Sequence, residues 1–129
     1  MRQAFAADDG AILDLAAGTS LDSFSLYGTT KRPTFVVDLS LEMLRKGKAR
    51  VVAEFGTVPE NLVFLQADAL ALPFKDGALS TILCHGAFHV FSSLDAVLAE
   101  CNRILRREGR LFATSLVTER LLGNLYLGF

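Results

Sequence analysis

Residues 11–20 read AILDLAAGTS: three apolar residues, then a leucine-flanked aspartate, then a run of small side chains. A short apolar segment ending in a carboxylate is how a parallel strand buried on both faces meets its connecting loop. Residues 34–38 (TFVVD) repeat the pattern, and 62–66 (LVFLQ), 79–84 (LSTILC) and 110–116 (RLFATSL) supply three more apolar runs. Two intervening stretches have helical spacing. In LEMLRKGKARVVAEF, residues 41–55, Leu41, Leu44, Val51, Val52 and Phe55 share a face, and Ser40 suits the N-cap. In LDAVLAECNRILRR, Leu94, Val97, Leu98, Cys101, Ile104 and Leu105 follow i, i+3, i+4, i+7 spacing, and Gly109 is placed to stop the helix. Residues 21–30, LDSFSLYGTT, hold too many serines, threonines and glycines for a good helix. Strand–helix alternation with short connections predicts an open parallel α/β sheet with helices on both faces.

Composition narrows the function classes. A chain of 129 residues fits one domain, 1–129, with its core in 11–116. Hydrophobic residues make up 51%, enough for a real core, and charged residues 21%, too few for a disordered chain. Thirteen basic against fourteen acidic residues form no basic stripe, which argues against a nucleic-acid partner. The two cysteines, Cys84 and Cys101, lack metal-ligand spacing and fit reduced thiols of a cytoplasmic protein. No apolar run approaches the ~20 residues of a membrane span, and MRQAFAADDG does not read as a signal peptide.

In such a sheet ligands sit beyond the carboxyl ends of the strands, so the polar residues there are the informative ones. They are Asp14, Asp38, Asp68 and the pair Cys84-His85, expected to converge on one rim. A pyrophosphate site wants G-x-G-x-x-G, whereas this loop has one glycine, Gly18, beside carboxylates that would repel phosphate. That argues against a nicotinamide-dependent oxidoreductase and for a ligand bearing hydroxyls and positive charge. Asp38 is placed to accept both hydroxyls of a ribose, Asp68 to accept from an exocyclic amine, and Asp14 to organise a loop meeting an ammonium group. His85 and His89 stand four apart in HGAFH without a third ligand or an HExxH pattern, so no metal site is read. His85 reads as a loop residue lining the site and His89 as partly buried packing. No pattern names a catalytic base.

These segments together resemble a class I S-adenosylmethionine-dependent methyltransferase of the small-molecule type. AILDLAAGTS resembles the family's first motif, FVVDLSLEML the second strand with its ribose-binding acid, and LQADALALPFKDGALSTILCHGAFHVF the third motif and following strand, with its Leu-Pro-Phe signature. Residues 100–115 resemble the helix and fifth strand that close the core. The resemblance spans about 11–116 and implies a Rossmann-like sheet, S-adenosyl-L-methionine as cofactor and a small-molecule acceptor. It places Asp14, Ala16 and Gly18 at the methionine part, Asp38 at the ribose, Met43 near the adenine, Asp68 and Ala69 at its amino edge, and Cys84 beside the methionine backbone, with Leu39 a further cofactor-binding residue.

The departures carry expectations of their own. Ala16 and Ser20 occupy two of the three glycine positions, and Ser20 puts a side chain where backbone usually approaches the cofactor. Arg107 and Glu108 stand where the family often has Pro-Gly. The alternative is a non-catalytic methyltransferase-like module acting through a partner. The family usually has seven strands and five are readable, so the chain reads as truncated at its C-terminal end. After Leu116 come Leu121, Leu122, Leu125, Tyr126, Leu127 and Phe129, which point to an excerpt of a longer protein or to self-association through the edge of the fifth strand.

Overall fold

A computed structural model describes residues 2–5 and 9–114. There are five strands, β1 (Ile12–Leu15), β2 (Thr34–Asp38), β3 (Leu62–Gln66), β4 (Leu79–Cys84) and β5 (Leu105–Ala113); helix α1 (Leu41–Phe55) joins β2 to β3 and helix α2 (Leu94–Ile104) joins β4 to β5. The strands form one sheet in the order β3-β2-β1-β4-β5, every pair parallel. From β1 the chain winds outward through β2 to β3, then returns to β1's other side and winds through β4 to β5. The order reverses between β1 and β4, where such sheets open a crevice at their carboxyl ends.

Successive strand residues point to opposite faces, and here both faces are covered. Ile12, Val36, Leu62 and Leu83 pack with Leu44 and Val51 of α1. Leu13, Leu15, Val37, Ile82 and Cys84 pack with Val97, Cys101 and Ile104 of α2. Hence β1 and β4 are buried along their whole length, as the unbroken apolar runs predict. At the amino end of the sheet the buried Arg32 guanidinium donates to Gly10 O, Ala4 O, Ser80 Oγ and Thr81 Oγ1, pinning a short 3-10 turn (Arg2–Phe5) beneath the strands.

Three expectations need correction. On α1 the buried stripe is Leu44, Gly47 and Val51, while Leu41 and Val52 are exposed; the helix lies on a glycine, not on a continuous row of large side chains. Helix α2 ends at Ile104, three residues early, because Leu105 turns extended to pair with Leu79. Gly109 therefore caps no helix. It lies where a Cβ would meet Arg106 O at 2.8 Å and Leu105 Cδ2 at 2.9 Å, in a kink of β5 between the Leu79–Leu105 and Thr81–Arg110 pairs. That kink puts Glu108 in the left-handed region, φ 65°, a conformation that favours glycine.

Residues 21–30 do form no α-helix; Phe24–Thr29 is a 3-10 helix. Phe88–Val90 is another, not foreseen from periodicity. Residues 115 and 116 of the expected fifth strand, and the apolar positions from Leu121 to Phe129, lie outside the described residues. Among the described residues β5 pairs only with β4, and no helix is long and apolar enough to cross a membrane.

Candidate functional site

Beyond the carboxyl ends of β1, β2 and β3 lies a cavity of about 380 Å³, within the size range of small-molecule sites. Leu15 and Ala16 follow β1, Asp38 and Leu39 close β2, and Ala67 to Leu70 follow β3. The fourth wall, Val90 to Ser93 with Val97, comes from the entry to α2. Walls are largely apolar, with two carboxylates set into them.

Asp38 is the best defined of these. Its Oδ2 accepts from Gly18 N at 2.8 Å and its Oδ1 from Ser40 N at 2.9 Å. Each carboxylate oxygen can accept twice, so one lone pair on each remains for a ligand. The same two bonds tie the loop after β1 to the start of α1, where Ser40 Oγ accepts from Met43 N. Asp68 Oδ1 accepts from Leu70 N at 2.9 Å and Asp68 O from Ala71 N at 3.0 Å, which folds 68–71 into a tight turn.

The loop after β1 keeps a glycine-type backbone where two of the glycines are missing. Ala16, Gly18 and Ser20 have φ of 54°, 57° and 58°, a conformation that costs a residue with a Cβ roughly 1–2 kcal/mol. Contrary to the expectation from the sequence, Ser20 does not crowd the cavity. It is buried, its Oγ 3.1 Å from Tyr27 Oη, facing α1 at Gly47, where a Cβ would stand 2.8 Å from that Oγ. The room for the Ser20 side chain is provided by the glycine on the facing helix.

Asp14 organises the loop after β1, as read from the sequence, but from beneath and not from the cavity wall. With its neighbours Leu13 and Leu15 facing α2, its side chain points to the opposite face, and it is 2% exposed. Ser23 Oγ donates to its Oδ2 at 2.7 Å, and Tyr27 Oη donates to the same oxygen. Tyr27 Oη also lies 3.1 Å from Ser20 Oγ and 3.0 Å from Ser23 Oγ, so the phenol joins the three side chains into one buried cluster. Burial pushes the Asp14 carboxyl up to about 6, against the pull of the Tyr27 and Ser23 bonds. The same burial, reinforced by Asp14, raises the Tyr27 phenol. Asp14 thus braces the loop from beneath and is absent from the cavity wall.

Of the nine residues singled out from the sequence, Ala16, Asp38, Leu39, Asp68 and Ala69 line one cavity. Gly18 reaches it through Asp38. Met43 lies in the first turn of α1, outside the wall. Cys84 is fully buried in the α2-side core, and burial pushes its thiol up to about 12, so the side chain is a packing group. His85 lies off this cavity: its Nδ1 is 2.8 Å from Thr114 Oγ1 and its Nε2 3.6 Å from Asp22 Oδ2. His89 is exposed, not partly buried. Sequence reading missed Leu70, Val90, Phe91 and Ser93. Ser93 carried a usable signal, because it is the N-cap of α2, its Oγ accepting from Ala96 N at 3.4 Å. Among the described residues no three His, Cys, Asp or Glu could hold a metal ion.

Comparison with known proteins identifies the family and the fold. A family model described as "Methyltransferase domain" matches residues 13–113. The ubiquinone/menaquinone biosynthesis C-methyltransferase UbiE of Acidiphilium cryptum is 35% identical over 101 residues, covering 78% of this chain and 40% of the relative. Demethylmenaquinone methyltransferase of Thermotoga maritima is 34% identical over 121 residues, 89% of this chain and 48% of the relative. The chain thus spans less than half the length of these two relatives. Among solved structures, geranyl diphosphate C-methyltransferase of Streptomyces coelicolor, in complex with Mg2+, geranyl diphosphate and S-adenosyl-L-homocysteine, superposes with a TM-score of 0.70 at 19% identity. It covers 81% of this chain and 38% of its own, a likeness of fold.

Proposed function

The chain belongs to the methyltransferase domain family, and from that premise we propose that it is the cofactor-binding part of an S-adenosyl-L-methionine-dependent methyltransferase acting on a small molecule. The observation that carries this reading is Asp38: a carboxylate at the end of β2, facing a 380 Å³ cavity, fixed by two backbone amides and keeping an acceptor position on each oxygen. That donor set fits a ribose. Leu39, Leu70, Val90 and Phe91 offer the apolar surface a purine needs, and Asp68 an acceptor for its amino group. The backbone of 16–20, free of large side chains, passes beside Asp38 and would carry the methionine part. The relatives named ubiquinone/menaquinone biosynthesis C-methyltransferase and demethylmenaquinone methyltransferase support a small-molecule acceptor.

S-adenosyl-L-methionine supplies an already electrophilic methyl group on a sulfonium. The protein's share is then to bind, align and exclude water, the proximity contribution that lowers barriers by several kcal/mol. The non-catalytic alternative drew on Ser20 and on the poor helix at 21–30; Ser20 turns inward to Tyr27 and does not line the cavity, while 21–30 forms only a 3-10 helix.

Calorimetry with S-adenosyl-L-methionine tests the reading. Asp38→Ala should lower affinity at least tenfold, since two hydrogen bonds to a charged acceptor, each ~1.5–3 kcal/mol, are lost. Unchanged affinity in a folded variant would sink the assignment, and a wild-type chain that binds no cofactor would favour the non-catalytic module.

A further inference from the structure

We propose that Glu100 and Arg103, which do not line the cavity, are positioning residues for its 68–70 wall. The inference rests on the reading that this cavity takes the nucleoside end of S-adenosyl-L-methionine. Residues 67–78 join β3 to β4 without a strand or helix, and they carry Asp68, Ala69 and Leu70. Such a segment needs anchors if its side chains are to hold a fixed place.

The apolar anchors are Leu72, buried in the α2-side core, and Phe74, whose ring meets Phe35 edge-on at 5.0 Å. Apolar contacts are not directional, and they leave the backbone free to slide. The directional anchors come from one turn of α2. Leu72 N donates to Glu100 Oε2 at 2.6 Å, and Leu72 O accepts from Arg103 Nη2 at 3.0 Å. Arg103 Nη1 donates to Phe74 O at 2.8 Å and to Asp76 Oδ1 at 2.9 Å. Its Nε and Nη2 donate to Glu100 at 2.6 and 3.0 Å, completing the five N–H groups a guanidinium has. Leu72 immediately follows the 68–71 turn, so fixing both its amide and its carbonyl fixes where that turn ends.

The same helix supplies Ser93 and Val97 to the opposite wall of the cavity. One rigid element therefore gauges both walls: directly on one side, and through the Glu100–Arg103 pair on the other. A lysine at 103 has three donors and no planar fork, so it cannot span the same acceptors.

Three measurements test this on the whole chain: hydrogen exchange of unliganded protein, calorimetric affinity for S-adenosylhomocysteine, and affinity for its hypoxanthine counterpart, S-inosylhomocysteine. Arg103→Lys should speed exchange within 67–76 and leave β1 to β4 protected. It should weaken S-adenosylhomocysteine about tenfold and shrink the preference for the amino-bearing base. Glu100→Gln, which keeps an acceptor for Leu72 N, should do the same to about threefold, and it replaces Arg103→Lys should that variant not fold. Unchanged exchange in 67–76 overturns the proposal. So does an equal loss for both ligands accompanied by a general fall in stability, the mark of a merely structural pair. A wild-type chain that binds neither ligand overturns the reading of the cavity, while the exchange comparison still decides the role of the pair.

Discussion

Two segments wall the same cavity and are held by opposite means. The loop after β1, residues 16–20, is fixed locally: three left-handed residues set its path, and a buried cluster of Asp14, Ser20, Ser23 and Tyr27 lies under it. The segment after β3, residues 67–78, has little local structure beyond the turns 68–71 and 75–78 and is held by α2 about thirty positions away, through the Glu100 and Arg103 side chains and the Arg103 carbonyl. The difference extends to charge. The first brace is a carboxyl that burial pushes up to about 6. The second is Glu100, held below the usual carboxylate range first by its Arg103 bonds and further by Leu72 N. One brace is weakened by ionising, the other by protonating.

The largest expected effect breaks that symmetry. Asp14 has a folded value above its ordinary 3.8, so its contribution is fully present below about pH 4 and is lost as pH rises through about 6. Two pKa units at ~1.4 kcal/mol each give a loss of ~3 kcal/mol between pH 4 and 7. Asp14→Asn removes this titration. Urea unfolding should show wild type losing ~3 kcal/mol relative to the variant across that interval, and a constant difference between them would refute the buried-carboxyl account. For Glu100 the sign is reversed: its lowered value gives stability that is present above the ordinary carboxylate range and lost as pH falls. Acid should therefore loosen 67–78 while it favours the brace beneath 16–20.

A second test sharpens the exchange of glycines between the loop and α1. Gly47→Ala improves helix propensity by ~1 kcal/mol, yet its Cβ would stand 2.8 Å from Ser20 Oγ and 3.3 Å from the Thr19 backbone. Overpacking of ~1–3 kcal/mol should win, giving a net loss of ~1 kcal/mol. Adding Ser20→Gly should restore most of it. Additive effects in that double-mutant cycle would show the two sites to be independent.

The smallest effect is a control for backbone strain away from the cavity. Glu108→Gly relieves a left-handed glutamate in the β5 kink and should raise stability by ~1 kcal/mol. Cofactor affinity should stay within twofold; a larger change would mean that the kink is coupled to the site.

Much of this molecule was legible in its sequence. The runs 34–38, 62–66 and 79–84 are strands with the bounds their apolar character predicts, and 41–55 is a helix over its predicted length. Asp38 and Asp68 were found because a residue following a parallel strand must lie at the carboxyl rim. What misled was orientation. Asp14 follows the same pattern as Asp38, but the period-two alternation of β1 sends its side chain under the loop, to partners on a 3-10 helix that no periodicity announces. Ser20 was misread for the same reason: its direction depends on Gly47, twenty-seven positions on.

The sequence by itself determined the strands, the two helices, the family to which they belong and the residue types available at the rim, because period, caps and turn residues act over a few positions. Only the tertiary structure decided which of those residues face a common cavity, that α2 ends where Leu105 joins the sheet, and that Glu100 and Arg103 hold a segment thirty residues away. The reason is physical. Local conformation follows from steric and hydrogen-bonding preferences of neighbouring residues, whereas burial, close approach and long-range hydrogen bonds exist only once distant segments share one interior.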